Sequence, residues 1–217
     1  MKKVLEQDFF VNKDNFIIKY GLITNNHILN EFNLEKGQII KIDYFEKSFF
    51  SNYYLNKKEI NITEHRKIFI NKELDYTCIE LMESDNIIDY FEIDPNIYKY
   101  KDEDIKKIDI FLLQFPNEVS FSYGKIKEIK DNKYIYNAST EEGSSGSPII
   151  IRYNNKYYVN GLHFGGYNKD KTNKDSFIFN LGTPFNLILE DNCIDCIYIA
   201  KKIQSIYYMN IMKIILG

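Results

Sequence analysis

Thr140-Glu141-Glu142-Gly143-Ser144-Ser145-Gly146-Ser147-Pro148-Ile149-Ile150-Ile151 is a short Ser/Gly turn that runs directly into an apolar strand. Strand signals continue on both sides of it. Downstream, Pro148 to Tyr153, Tyr157 to His163 and Phe177 to Leu181 are short apolar runs separated by polar turns. Upstream, Ile108 to Phe115, Ser120 to Lys127 and Lys133 to Asn137 have the same character. Earlier still come Gln38 to Phe45, Arg66 to Ile70 and Tyr76 to Leu81, and Phe16 to Tyr20 with Gly21 and Leu22 to Thr24 reads as a hairpin. A polar, irregular passage from about Glu83 to Lys107 divides these runs into two groups of similar size. Many short strands at close spacing predict an all-β barrel or sandwich. Composition agrees: 35 Ile, 18 Tyr and 16 Phe stand against 2 Ala, which favours strand over helix.

The chain has 217 residues, 44% of them hydrophobic, enough for one compact unit or two small barrels packed together. With 27% charged and 16% aromatic residues, long disorder is excluded. A formal net charge of −3 argues against a nucleic-acid partner, which requires a cationic face. The run Lys101-Asp102-Glu103-Asp104 is mixed in sign and reads as a solvated loop. Three cysteines, Cys78, Cys193 and Cys196, are too few for a disulfide framework. Cys193-x-x-Cys196 has no second pair or nearby His to complete a metal site, so neither metal nor cofactor is expected. Residues Met1 to Asp8 lack the apolar core of a signal peptide, and no long apolar run predicts a membrane span. The expectation is a reduced, cytoplasmic protein. In the tail, Ile199, Ile203, Ile206, Tyr207, Ile211, Ile214 and Ile215 recur at helical spacing. That predicts a C-terminal helix docked on the β body, with contact to a partner or a membrane surface as the other use of its apolar face.

Six of the ten glycines lie between positions 143 and 182, five of them in Gly143-Ser144-Ser145-Gly146-Ser147-Pro148 and Gly161-Leu162-His163-Phe164-Gly165-Gly166. A tight Gly-x-Ser-Gly turn exposes a hydroxyl and aims two backbone N–H groups into one space, as a serine nucleophile with an oxyanion hole requires. An ordinary turn between strands is the alternative. A serine needs a base, and the chain offers only His27, His65 and His163. His27 ends the run Gly21-Leu22-Ile23-Thr24-Asn25-Asn26, whereas His65 lies in the charged loop Thr63-Glu64-His65-Arg66 and reads as solvent-exposed. Asp75 opens the apolar strand Tyr76 to Leu81, where packing can fix it while its carboxylate points outward to orient an imidazole. The pattern Gly-x-Ser-x-Gly of the Ser–Asp–His order fails, because Ser147 follows where Gly is required.

In the order His27, Asp75, Ser145, the blocks Gly21 to His27, Asp75-Tyr76-Thr77-Cys78-Ile79 and Gly143 to Pro148 resemble the three active-site blocks of chymotrypsin-like serine peptidases. The likeness runs from about residue 14 to 187 and is greatest to bacterial-type, protist and viral trypsin-like peptidase domains. Phe115-Pro116 and Leu181-Gly182-Thr183-Pro184 add secondary matches. The resemblance implies two packed six-stranded β-barrels with a C-terminal α-helix: a first barrel over 1–95 carrying His27 and Asp75, a second over 96–190 carrying Ser145, and the helix over 191–217. The first barrel is short, so one strand is expected to be reduced. Ser145 would be nucleophile, His27 general base and then acid, and Asp75 its orienting partner, with the N–H groups of Gly143 and Ser145 as oxyanion hole. Ser144 replaces the aspartate that secreted digestive members carry, so no zymogen cleavage is expected.

The same resemblance makes residues 161–166 the wall of the pocket for the residue before the scissile bond. Thr140 and His163 would converge on a substrate side-chain oxygen, while Phe164, Gly165 and Gly166 would leave backbone open to pair with a polypeptide substrate. Glutamyl endopeptidases and viral proteases that cut after Gln are similar, which implies Glu or Gln at P1. Glu141 and Glu142 oppose an acidic side chain and lean the expectation towards Gln. The rival readings are a catalytically silent barrel that binds peptides by strand addition, and an esterase-like hydrolase on the same scaffold.

Overall fold

The structure, a computed structural model, describes residues 18, 20–47, 53–87, 91–114, 120–167 and 179–191. It is mostly β, with eleven strands among these residues and few helices. Six strands close a barrel: β6 (Asp109–Gln114), β7 (Ser120–Lys130), β8 (Lys133–Tyr136), β9 (Pro148–Tyr153), β10 (Lys156–Tyr167) and β11 (Phe179–Pro184), in the order β10-β11-β8-β7-β6-β9. Two connections are two-residue hairpin turns with left-handed backbone at both positions, Asp131-Asn132 (φ 49° and 59°) and Asn154-Asn155 (φ 48° and 58°). Asn and Asp tolerate that conformation best after Gly, and its twist matches the strands it joins.

The first half is different. β1 (Gly21–Thr24), β4 (Ile68–Asn71) and β5 (Tyr76–Glu80) form a three-stranded sheet in the order β1-β5-β4. β2 (Ile39–Lys47) and β3 (Tyr53–Asn61) form a separate two-stranded ribbon. The expected pair of six-stranded barrels is therefore met by one closed barrel and, among the described residues, a five-strand first half that does not close. Gly21 is also no turn residue. It pairs with Glu80, and a Cβ there would lie 2.8 Å from Cys78 Sγ, so the glycine allows β1 to approach β5. The passage after β5 contains two short helical pieces, a 3-10 turn at Glu83–Asp85 and α1 (Asp102–Ile105). Ile93 bridges Val159, which ties this crossing segment to the barrel.

β9 shows how sequence sets the packing. Ile149, Ile150 and Ile151 are all fully buried, as a continuous apolar run predicts for a strand covered on both faces. Ile149 and Ile151 point into the barrel with Ile110, Leu112, Tyr134 and Tyr136. Ile150 faces the other way, into a cluster with Ile18, Tyr76 and Cys78 of the first half and Phe185 and Ile188 of α2 (Phe185–Glu190). Each such side chain contributes roughly 1.5–3 kcal/mol on burial. Gly182 makes room for Ile149, whose Cδ1 would lie 2.2 Å from a Cβ at that position. The two halves thus share one apolar core, and Asp191, the C-cap of α2, accepts bonds on its carboxylate from Asn71 Nδ2 and the Tyr76 hydroxyl.

The expected tail helix over 191–217, apart from Asp191, together with Cys193-x-x-Cys196, Phe115-Pro116 and most of the Phe16 to Tyr20 strand, lies outside the described residues. Among those described, no helix is long and apolar enough to cross a membrane.

Candidate functional site

His27 and Asp75 meet where β1 and β5 run side by side. The register Thr24↔Thr77 places the loop after β1 next to the turn before β5. The carboxylate grips the histidine twice: Oδ1 accepts the His27 backbone N–H at 2.9 Å, and Oδ2 lies 2.7 Å from Nδ1. The Asp75 side chain is 10% exposed and the imidazole 46%, so a shielded carboxylate holds a ring whose far side reaches solvent. Nδ1 is therefore the protonated nitrogen of the neutral ring, and Nε2 is left as acceptor.

Two buried asparagines brace this pair. Asn25 Nδ2 donates to the Asp75 carbonyl at 3.1 Å, and Asn26 Nδ2 donates to Thr77 Oγ1 at 3.2 Å. The Thr77 hydroxyl in turn donates to the Leu29 carbonyl at 2.7 Å, closing the loop around His27. Asp75 itself has left-handed backbone, φ 55°.

Ser145 lies on the turn that enters β9. Gly143 and Gly146 have φ 91° and 84°, which favour glycine. Within this turn, Ser144 N–H donates to Glu141 O, Gly146 N–H to His163 O and Ser147 N–H to Ser144 O. Among the described residues, the N–H groups of Gly143 and Ser145 have no acceptor. These are the N–H groups that the family resemblance implies for an oxyanion hole. Ser144 is buried and donates its hydroxyl to Gln114 Oε1 at 2.6 Å, while Gln114 Nε2 donates to the Ser139 carbonyl at 3.2 Å. Gln114 thus props the turn from inside the barrel, a role no sequence signal reveals.

The two halves converge on Phe164. It is the unpaired residue of a bulge, since His163 pairs Gly182 and Gly165 pairs Leu181. Its ring meets the His27 ring edge-on, with centroids 5.9 Å apart. Its carbonyl accepts the Ser145 hydroxyl at 3.3 Å. The serine's hydrogen bond is thus made to Phe164 and not to the imidazole. Gly146 also touches the first half: a Cβ there would be 2.7 Å from Thr24 Oγ1.

His163 is 2% exposed and hydrogen bonds through Nδ1 to the Tyr136 hydroxyl. Burial pushes its pKa down to about 4; a bond to the Leu181 backbone opposes the shift and the His27 charge reinforces it. Burial raises Tyr136 well above the ordinary tyrosine value. The hydroxyl is therefore the donor, Nδ1 the acceptor, and the neutral ring carries its proton on Nε2. Thr140 does not present a free hydroxyl. It donates to Asn180 Oδ1 at 2.8 Å, and Asn180 Nδ2 donates to the Ala138 carbonyl. Tyr136 and Asn180 are paired across β8 and β11, so this polar set is one end of the barrel. Among the described residues nothing lies within 4 Å of a Cβ at Gly165, and beyond Leu162 strand β10 no longer pairs with β9. His65 is an exposed side chain beside Glu64. Among the described residues no cluster of His, Cys, Asp and Glu could hold a metal ion.

No family model matches the chain, and no curated protein matches it.

Proposed function

We propose that the chain is a serine endopeptidase of the chymotrypsin-like type, with Ser145 as nucleophile, His27 as base and Asp75 as orienting carboxylate. The five-strand first half would be the reduced counterpart of a second barrel. The observation that carries the reading is the double grip of Asp75 on His27, which holds one tautomer with Nε2 unprotonated. Ser145 Oγ would pass its proton to Nε2 as it attacks the carbonyl carbon. The N–H groups of Gly143 and Ser145 would receive the oxyanion, and the imidazolium would protonate the leaving amine. Water would then release the acyl group by the same route.

The Ser145 bond to Phe164 is the one feature that favours the silent, peptide-binding alternative. It is long, and a neutral bond of this kind contributes only about 1 kcal/mol. Rotation of the hydroxyl to another staggered χ1 well would release it towards His27. Catalytic hydrogen bonds commonly tighten only with substrate in place.

Gln is the favoured P1 residue. A neutral His163, fixed by Tyr136, offers an N–H to an amide oxygen, drawing it from the Leu181 backbone. His163 and Thr140, the described residues expected to hold the P1 side chain, carry no positive charge, so a Glu side chain would lose hydration there without an ion partner from them, a cost of several kcal/mol. A peptide-library cleavage profile tests this. Cuts after Gln that vanish in Ser145→Ala support the reading, and a folded protein that cuts no peptide favours the binding module.

A further inference from the structure

Asp75 has left-handed backbone, φ 55°, and its neighbours hold it there. The peptide groups on both sides of it are pinned. Its own carbonyl accepts Asn25 Nδ2, from the loop that carries His27. The preceding carbonyl, of Leu74, accepts two donors from the barrel: Thr183 Oγ1 at 2.9 Å and Lys133 Nζ at 3.0 Å. Lys133 Nζ also donates to Thr183 Oγ1 at 2.6 Å, so the three groups close a triangle. Lys133 begins β8 and Thr183 lies on β11, which is its hydrogen-bonded neighbour. The ammonium lies 4.7 Å from the centre of the Phe164 ring, the same ring that touches His27.

We infer that Lys133 is a positioning residue: with Thr183 it clamps the Leu74 carbonyl and so fixes the Asp75–His27 pair over the barrel that carries Ser145. The Leu74–Asp75 peptide plane defines φ at Asp75, and two donors on its oxygen leave it one orientation. Asp75 spends both carboxylate oxygens on His27, so any tilt of that plane moves the imidazole. The nucleophile lies on the other half, and the clamp is a polar link between the halves at this point. The Asp75 charge acts on the ammonium as well, holding up a pKa that burial pushes down. The importance of the clamp for catalysis rests on the peptidase reading above; the clamp itself does not.

The test uses Lys133→Met, which keeps the length of the side chain and removes the donor, and Thr183→Val, which removes the hydroxyl alone, both in the full chain. Two readouts are followed. One is the low-field proton resonance of His27 Nδ1–H, assigned by its absence in His27→Gln. The other is the rate at which a fluorophosphonate labels Ser145. In folded variants the resonance should broaden or vanish, and labelling should fall at least about tenfold, as expected of a misplaced catalytic group. A persistent resonance, or labelling at the wild-type rate, overturns the inference. If wild type itself is not labelled, the peptidase reading has failed, and the resonance alone decides the clamp by the same criterion. If Lys133→Met does not fold, Thr183→Val decides it.

Discussion

His163 should make the protein acid-sensitive in a defined window. An unfolded histidine takes up a proton near pH 6.5, whereas the buried ring in the fold does so only near about 4. Because the folded pKa is depressed, the unfolded chain binds more protons between these values. The stabilisation is complete above about pH 6.5 and is lost progressively as pH falls towards 4. The full loss is about 3 kcal/mol, a large share of the stability of a domain this size. His163→Gln does not titrate. It loses the fitted bond from Tyr136 and should be less stable at neutral pH, but its stability should fall less steeply with acid. Urea unfolding from about pH 7.5 to about pH 4.5 measures both slopes. Carboxylates titrate equally in the two proteins, so the difference in slope belongs to His163. Parallel curves would refute the buried, neutral assignment.

Three further outcomes follow from particular contacts. Arg66 and Asp85 form a buried bidentate pair at 2.7 and 2.9 Å, so Arg66→Met should cost about 3–5 kcal/mol in urea unfolding, and Arg66→Met with Asp85→Leu should recover most of it; a loss confined to the double variant would contradict this. Gly146→Ala places a Cβ against Thr24 at a φ of 84°, so thermal unfolding should show a loss of at least about 1–2 kcal/mol. Tyr136→Phe removes the donor that holds His163 in one tautomer, so cleavage after Gln should fall about tenfold or more while fluorophosphonate labelling of Ser145 persists; equal losses in both would place Tyr136 in folding rather than in selectivity.

The barrel was legible because its strands announce themselves. Ile149 to Ile151 is a continuous apolar run, and Asp131-Asn132 and Asn154-Asn155 are turn dipeptides between such runs. The β3 strand was not legible: Tyr53 to Asn61 carries Lys57, Lys58 and Glu59, as suits a two-stranded ribbon, and its partner rather than its pattern makes it a strand. Gly21 looks like a turn in sequence because its reason for being glycine, Cys78, lies on another strand. The approach of His27 to Asp75 was legible through the resemblance of their two blocks to those of chymotrypsin-like peptidases. The supporting side chains could not. Asn25, Gln114, Lys133, Tyr136 and Asn180 each act through a partner far away in sequence, and none has a local signature.

The central claim is that Ser145 is an activated nucleophile. Incubating the folded wild-type chain with a fluorophosphonate probe, and locating the adduct by mass spectrometry, tests it most directly. The account predicts one adduct, on Ser145, absent from Ser145→Ala and greatly slowed in His27→Gln. A folded chain that stays unmodified, or is modified just as fast without His27, would contradict it.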